Sequence, residues 1–296
     1  MRDSRWWPFY FQRLFMRAHR RAWFARKIAH RRPQAGELHR IDPEDQRRFS
    51  ELATHGITHI APPLTRDQCA ELVTFFSALN VYDPYRKEIA PFKPLAPGRH
   101  PNGHIAHHYP EDIVRAPHLL AIANSPEVLS IVSRFLGCKP TVAYMAAWWS
   151  YATPIGAQQA EFFHRDVDDW RFVKLFVYLT DVDANSGPHV YVTESTQSPA
   201  LAAIRRFSDD EVTAHFKPEQ IQSVTGHAGD AFLEDTFGIH KGQPVQRGQR
   251  LIFQVVYSLC QLPYGPNKPV ASCSQVQSIH PQQALDPWIN RFYLSA

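Results

Sequence analysis

The chain has 296 residues, of which 44% are apolar and 20% charged, a composition that permits a sizeable folded core and argues against disorder. Its 24 prolines outnumber its 13 glycines and 12% of residues are aromatic, which favours a loop-rich, β-containing fold over a helical bundle. Residues 1–32 contain ten Lys/Arg and one Asp, whereas the remainder contains 22 basic and 27 acidic residues. Because the body is mildly acidic, the net charge of +4 is no argument for nucleic-acid binding, and we expect no nucleic-acid partner.

The cysteines and the N-terminal residues indicate where the protein resides. Cys69, Cys138, Cys260 and Cys273 show no C-x-x-C spacing, which argues against a zinc ribbon or a thioredoxin-type site. Arginines interrupt the N-terminal apolar residues every few positions, so no signal peptide is predicted. No run approaches the roughly 20 apolar residues of a transmembrane helix. We therefore expect a cytoplasmic protein.

Residues 5–32 form an arginine-rich, aromatic segment. A single helix here would place six apolar residues on one face: Phe11, Leu14, Phe15, Ala18, Ala22 and Ala25. Such a helix either lies on an anionic membrane, giving a peripheral membrane contact, or packs its aromatics on the domain with solvated arginines, and we favour packing. Residues 33–36 end the segment. We predict an arm at 1–36 and a single domain at 37–296, and we expect the arm to be dispensable for turnover.

The first third of the body is predicted to be mainly helical. Residues 44–79 have helical patterns at both ends and a short strand, Ile57–Ala61, between them. Thr65 is a good N-cap for Asp67–Ser77, and Ser125 caps a helix at Glu127–Leu136. Residues 82–118 are rich in Pro, His and Tyr without periodicity, and predict a long functional loop.

From residue 141 the pattern changes to short β-branched or aromatic runs separated by Gly, Pro or Asn. The predicted strands are Thr141–Ser150, Phe172–Val182, His189–Thr193, Asp230–Phe237 and Arg250–Leu259. One helical interruption is predicted at 199–216. Many short strands with turn signals are typical of a β-sandwich or barrel.

The triplet His164-Arg165-Asp166 carries the first chemical signal. Successive side chains of an extended segment point to opposite sides, so His164 and Asp166 point the same way, as two ligands of one metal must. Two histidines and one carboxylate can occupy one face of an Fe(II) octahedron and leave three positions open. A lone H-x-D triplet is nevertheless weak evidence for a metal site.

The downstream residues strengthen that signal. Gly229-Asp230 opens a strand that ends near His240, which supplies a second histidine. Arg250 then begins an apolar run, where a cationic side chain needs a partner, and a bound carboxylate would serve.

Residues 56–257 resemble the phytanoyl-CoA dioxygenase family of Fe(II)/2-oxoglutarate-dependent oxygenases. The resemblance is carried by Phe163-His164-Arg165-Asp166, Leu179-Thr180-Asp181-Val182, Asn185-Ser186-Gly187-Pro188, Gly229-Asp230 before His240, and Arg250 after it. It implies a mainly β fold with flanking helices around a double-stranded β-helix, the jelly-roll core of cupin-like proteins. It also implies iron bound by His164, Asp166 and His240, and hydroxylation of a C–H bond with O₂ while 2-oxoglutarate becomes succinate and CO₂. Arg250 would bind the distal carboxylate of 2-oxoglutarate, with Arg247 as the competitor.

The substrate does not follow from the resemblance. The family usually reads Pro-Gly-Ser-His after the turn, and this chain reads Thr193-Glu194-Ser195-Thr196-Gln197, so we infer no acyl-CoA. The substrate is expected to be a small molecule, a lipid or a glycan. Two alternatives are a non-catalytic cupin-like binding protein, which the intact ligand set disfavours, and a metal-dependent cupin isomerase or hydrolase, which Arg250 disfavours.

Four further features have competing interpretations. Lys174 either contacts the cosubstrate or an anionic substrate, or extends to the strand edge. Asp168 either supports a ligand or, as we favour, is a solvated turn residue. Trp148, Trp149 and Trp170 are expected in the core more than in the pocket. A histidine cluster is interpreted as part of a lid loop rather than a second metal site: His100, His104, His107 and His108.

Overall fold

The computed structural model describes residues 3–39, 42–96, 102–280 and 285–295. Its α-helices are α1 (Trp6–Gln12), α2 (Ala18–Ala29), α3 (Pro43–His55), α4 (Arg66–Ser77), α5 (Pro110–Arg115), α6 (Leu119–Ala123), α7 (Pro126–Leu136), α8 (Asp209–Thr213), α9 (Cys273–Ile279) and α10 (Pro287–Asn290). Its strands are β1 (Ile57–Ile60), β2 (Ile105–His107), β3 (Val142–Tyr151), β4 (Phe172–Tyr178), β5 (His189–Val192), β6 (Ile221–Val224), β7 (Ala231–Glu234), β8 (His240–Gly242), β9 (Gln249–Ser258), β10 (Ala271–Ser272) and β11 (Leu294–Ser295).

Two antiparallel sheets form the core. The larger has the order β1-β7-β4-β9-β3-β2 and the smaller the order β6-β5-β8. One apolar cluster joins the sheets, since Phe176 of β4 and Phe232 of β7 pack with Tyr191 of β5 and Val224 of β6. Two facing sheets with crossing connections are a double-stranded β-helix, so the predicted jelly-roll fold is confirmed.

The outer face of the large sheet is covered by helices. Every residue of β4 is buried, and its side chains alternate between the two layers. Phe176 points to the small sheet, whereas Leu175 and Val177 belong to the helix-covered cluster with Phe76 of α4 and Val132 of α7. Strand β4 is thereby packed on both faces, by the small sheet on one side and by helices on the other.

The predicted elements of the body are largely present, with three corrections. Predicted loop 82–118 contains β2 and α5, and the predicted helix at 199–216 is only α8. Several elements were not predicted: β6, β8, β10, β11, α6, α9 and α10. These elements are two to seven residues long, too short for a periodicity to stand out, and tertiary contacts decide their conformation.

The N-terminal arm is two helices, not one, because the chain breaks between α1 and α2. Phe15 and Phe24 pack on Trp170, with ring centroids 5.5 and 4.3 Å from it. Arg21 is buried and donates hydrogen bonds to the carbonyl oxygens of Gln12, at 3.2 Å, and of Asp169. The expected packing on the domain therefore exists, but the arm contacts the loop that follows Asp166. Whether turnover survives without the arm stays a prediction.

One segment, Leu119–Leu136, is by length and composition apolar enough to cross a membrane, although 61% of it is buried inside the fold. It comprises two helices, α6 and α7, separated at Asn124 and Ser125. Ser125 caps α7 by accepting a hydrogen bond from the amide of Val128 at 3.2 Å. A core helix pair passes the same compositional test.

Candidate metal centre and active-site cavity

His164 and His240 face each other across a two-residue β-bridge. The amide of each donates to the carbonyl of the other, at 2.9 and 3.0 Å, which fixes the backbones on which both rings stand. Nδ1 of His164 lies 2.9 Å from the carbonyl of Phe162, and Nδ1 of His240 lies 3.0 Å from that of Gly238. Because a carbonyl oxygen only accepts, each Nδ1 carries the proton and each Nε2 presents a lone pair.

Asp166 completes a three-ligand cluster. Its Oδ1 lies 3.6 Å from Nε2 of His164, and its Oδ2 lies 3.3 Å from Nε2 of His240. The three ligand atoms all lie within 4.8 Å of one another. The donor set of two neutral imidazoles and one carboxylate, with the imidazole tautomers preset, fits a divalent iron centre with open positions. Among the described residues, these three side chains are the one group of His, Cys, Asp or Glu whose ligand atoms lie close enough together to hold a metal ion.

The electrostatics keep His164 and Asp166 in forms that can bind a metal. Burial lowers the pKa of His164 to about 3, so its ring is neutral at pH 7. Burial alone would raise the pKa of Asp166, but Lys174 and the two histidines outweigh it and hold that pKa well below its usual value. Asp166 raises the pKa of His240 against the effect of burial, an attraction that a bound metal ion would replace.

Lys174 is the partner of the ligand carboxylate. Its Nζ lies 2.6 Å from Oδ2 of Asp166 and 3.1 Å from Oδ2 of Asp168. The lysine is buried in central strand β4, so the interpretation in which it extends to a strand edge is wrong. Lys174 lines the cavity, and its contact with the cosubstrate stays a prediction.

Asp168 is buried and ion-paired with Lys174, so the favoured interpretation as a solvated turn residue is wrong. The H-x-D-x-D spacing places Asp168 on the same side as Asp166, as the alternation predicts, and the lysine bridges both.

Arg250 lies in the same cavity as the three ligands. Its Nη1 donates to the carbonyl of Gly187, and its Nη2 donates to Oγ of Ser150 at 3.1 Å across β3 and β9. Its buried Nε has no hydrogen-bond partner among the described residues, which leaves a charged donor for a bound anion. Arg247 has 79% of its side chain exposed, 3.7 Å from Asp183, and is not among the residues that line the cavity.

The turn before β5 positions a carbonyl group that accepts a hydrogen bond from Arg250. Gly187 has φ of +73°, and a Cβ there would lie 2.6 Å from the carbonyl oxygen of Gln243. Only glycine fits that position without displacement of the backbone. Its carbonyl oxygen is therefore held where Arg250 meets it, a contact that the sequence turn Asn185–Pro188 did not reveal.

The cavity has a volume of about 210 Å³. The aromatic rings that line it include Tyr85, His104 and Trp148. Tyr85 stacks on His104 with ring centroids 5.5 Å apart, and Trp148 stacks on His107 with ring centroids 5.6 Å apart. Glu161 adds a carboxylate. The 82–118 segment thus contributes Tyr85 and His104 to the wall, and its role as a lid that touches substrate stays a prediction.

The histidine cluster does not form a metal site in the part that the structure describes. His104 and His107 stack on aromatic rings, and His108 accepts a hydrogen bond from Nε1 of Trp149 at 3.2 Å. His100 lies outside the described residues. Of the tryptophans, Trp149 is in the core as expected, whereas Trp148 lines the cavity and is an exception.

Sequence reasoning missed a buried acid beside the ligands. Glu234 on β7 is opposite Lys174 of β4, and its Oε2 lies 2.7 Å from Nε2 of His189. Burial raises the pKa of Glu234 to about 8 and lowers that of His189 well below its usual value, so both are neutral near pH 7. The sequence contains one indication of this buried acid, which is a carboxylate at the end of the apolar strand Ala231–Glu234.

No family model matches the chain, and no curated protein matches it. Solved structures do match. HygX from Streptomyces hygroscopicus, with nickel, 2-oxoglutarate and hygromycin B bound, superposes with a TM-score of 0.52 at 14% identity, over 72% of this chain and 86% of that chain. The epimerase SnoN, in complex with Fe³⁺, alpha ketoglutarate and nogalamycin RO, gives a TM-score of 0.51 at 15% identity, over 83% of this chain and 94% of that chain. This chain therefore shares the fold of non-haem 2-oxoglutarate-dependent enzymes.

Proposed function

We propose that the protein is a non-haem Fe(II)/2-oxoglutarate-dependent dioxygenase, similar to the phytanoyl-CoA dioxygenase family, that hydroxylates a C–H bond of a small molecule. One observation carries the proposal: His164, Asp166 and His240 converge in a cavity that also contains a buried arginine, Arg250, with an unused donor. A metal site alone fits many reactions. The added arginine fits a second, carboxylate-bearing cosubstrate.

Each residue has a role that its position supports. His164, Asp166 and His240 would hold iron, which with 2-oxoglutarate and dioxygen supplies the oxidising power. Hydrogen bonds from each Nδ1 to a carbonyl oxygen keep both histidine rings oriented. Lys174 binds one oxygen of Asp166 and leaves Oδ1 directed at His164.

Arg250 would orient 2-oxoglutarate through its distal carboxylate. The guanidinium is buried and held by Ser150 and Gly187, so its direction is set before the cosubstrate arrives. The aromatic wall around Trp148 and Tyr85 would limit access of water to the reacting atoms.

Asp166 supports oxygen transfer as the outcome. A small residue at that position would leave an anion site beside the metal, as halogenating relatives require, and Asp166 fills that position with its own carboxylate. A binding protein would not need an oriented, buried arginine beside three candidate metal ligands. A cupin isomerase or hydrolase that works without 2-oxoglutarate would not need a site for a carboxylate cosubstrate.

The test is the dependence of succinate formation on each component. Purified protein with Fe(II) and 2-oxoglutarate should form succinate slowly without substrate, and faster when a pool of small molecules contains the substrate. Product formed under ¹⁸O₂ should contain one labelled oxygen atom. Turnover of that pool without 2-oxoglutarate would support a cupin isomerase or hydrolase instead. Iron binding without any succinate would support a binding protein.

The organisation of the chain completes the proposal. We propose that residues 37–296 act as one oxygenase domain with residues 1–36 as an attached arm, and that the enzyme works in the cytoplasm. The ligands bound to the structural neighbours, hygromycin B in HygX and nogalamycin RO in SnoN, support a small-molecule substrate in a cavity of this fold.

A further inference from the structure

We propose that the outer face of the N-terminal arm is a docking surface for an anionic lipid bilayer. We call this face the arm patch and define it by its exposed apolar residues: Trp7, Tyr10, Phe11, Leu14 and Trp23. The proposal concerns where the enzyme binds and is independent of its reaction.

The arm patch inverts the usual amphipathic pattern. Trp7, Tyr10 and Phe11 lie at positions i, i+3 and i+4 of α1, the spacing of an apolar helix face that is normally buried, and Leu14 follows in the turn after the helix. Here the face points outward, with exposures of 76% for Trp7, 57% for Tyr10, 51% for Phe11 and 76% for Leu14. Trp23 of α2 adds a ring that is 51% exposed. Exposed large apolar side chains gathered in one short segment mark an interaction surface.

Residues outside the patch hold most of the arm on the body. Phe9 and Gln12 face inward, and Nε2 of Gln12 donates to the carbonyl of Val167 at 2.6 Å. Arg5 donates to the carbonyl oxygens of Gly265 and Pro266, at 3.1 and 3.2 Å. Within the patch, Phe11 adds a ring contact with Trp170, with centroids 6.1 Å apart. These contacts do not account for Trp7 and Leu14, whose side chains are 76% exposed.

The arm also has exposed positive charge that no carboxylate pairs in the described part of the chain. Five exposed basic residues of the arm form no ion pair with a carboxylate in the part of the chain that the structure describes: Arg17, Arg20, Arg26, Lys27 and Arg31. Asp3 is the sole acidic residue of residues 1–32 and is paired with Arg5. A surface of this charge attracts an anionic partner.

The combination favours a bilayer over a protein groove. Tryptophan and tyrosine rings prefer the boundary between headgroups and acyl chains, where one edge is apolar and the other wet. Arginine and lysine beside them bind anionic headgroups, and the two effects reinforce each other. Lys27 lies over the ring of Trp23 at 5.8 Å, so charge and aromatic surface are presented together.

The test is co-sedimentation of the full chain with vesicles. The wild-type protein should bind vesicles of phosphatidylcholine with phosphatidylglycerol, bind phosphatidylcholine alone weakly, and lose binding at high salt. The triple variant Trp7→Ser, Leu14→Ser, Trp23→Ser should lose most of the binding. The matched control changes three exposed apolar residues elsewhere, Leu95→Ser, Ile204→Ser and Ile279→Ser, and should bind like the wild type.

A second pair of variants tests charge. Arg20→Gln with Lys27→Gln should weaken binding about 30-fold, since each basic residue near an anionic surface contributes about a fivefold preference. The control Lys87→Gln with Lys268→Gln removes the same charge from other exposed positions and should leave binding unchanged. Thermal unfolding of all variants establishes that each is folded.

Three outcomes would overturn the proposal. Equal binding by the arm and control variants would place the lipid contact elsewhere. Equal binding to vesicles with and without phosphatidylglycerol would exclude the proposed charge complementarity. Absence of vesicle binding, together with concentration-dependent self-association that the arm triple variant abolishes, would assign the patch to a second copy of the chain.

Discussion

Replacing Arg250 with alanine should weaken 2-oxoglutarate binding far more than it weakens iron binding. The guanidinium is buried, with Nη1 on the carbonyl of Gly187, Nη2 on Ser150 at 3.1 Å and Nε without a hydrogen-bond partner among the described residues. A carboxylate bound there would lose its charged partner inside a cavity. Such a loss costs about 2–4 kcal/mol, or about 30- to 900-fold in Kd.

The assay is anaerobic calorimetric titration of 2-oxoglutarate into the iron-loaded protein. Arg250→Lys should lie between the wild type and Arg250→Ala, because it keeps the charge but loses the planar fork. Arg247→Ala is the matched control, since Arg247 is exposed 3.7 Å from Asp183, and it should bind 2-oxoglutarate like the wild type. A larger loss in Arg247→Ala, with none in Arg250→Ala, would refute the assignment of the two arginines.

Three further substitutions test the structure around the site. Lys174→Met should lower the unfolding free energy of the metal-free protein by about 3–5 kcal/mol, because it leaves the buried carboxylate of Asp168 and the partly buried carboxylate of Asp166 without their cation, and unchanged urea unfolding would contradict this. Arg21→Met should cost about 2–4 kcal/mol by the same measurement, since it strands the carbonyls of Gln12 and Asp169, and a neutral result would show that the arm is only loosely attached. Gly187→Ala should lower the unfolding free energy by about 1–3 kcal/mol and also weaken 2-oxoglutarate binding. Lower stability with unchanged binding would show that the turn does not position Arg250.

The sequence predicts the strands of the core because their apolar runs are long and bounded by turn residues. Phe172–Val182 and Arg250–Leu259 were predicted from such runs, and the structure has β4 and β9 there. The candidate ligands His164 and Asp166 were predicted for a related reason. Alternation along an extended chain placed His164 and Asp166 on one side without knowledge of the fold.

The parts that the sequence did not predict depend on contacts between distant segments. Nothing local says that Lys174 and Glu234 are opposite each other on β4 and β7, or that Arg21 reaches Asp169. The arm shows the same limit. Helical spacing grouped Phe11 with Phe15, but the break between α1 and α2 turns Phe15 toward Trp170 and leaves Phe11 half exposed.

The central claim is that one carboxylate and two histidines bind iron. Fe(II) affinity and succinate yield should be measured for His164→Ala, Asp166→Ala and His240→Ala, with Asp67→Ala, an exposed carboxylate of α4, as the control. Removing a residue that only supports a ligand costs about 10- to 100-fold in metal affinity, so removal of a ligand itself should cost more than about 100-fold. The account predicts that loss, with little succinate, in all three variants and wild-type values in the control. Wild-type iron affinity and succinate yield in Asp166→Ala would contradict it.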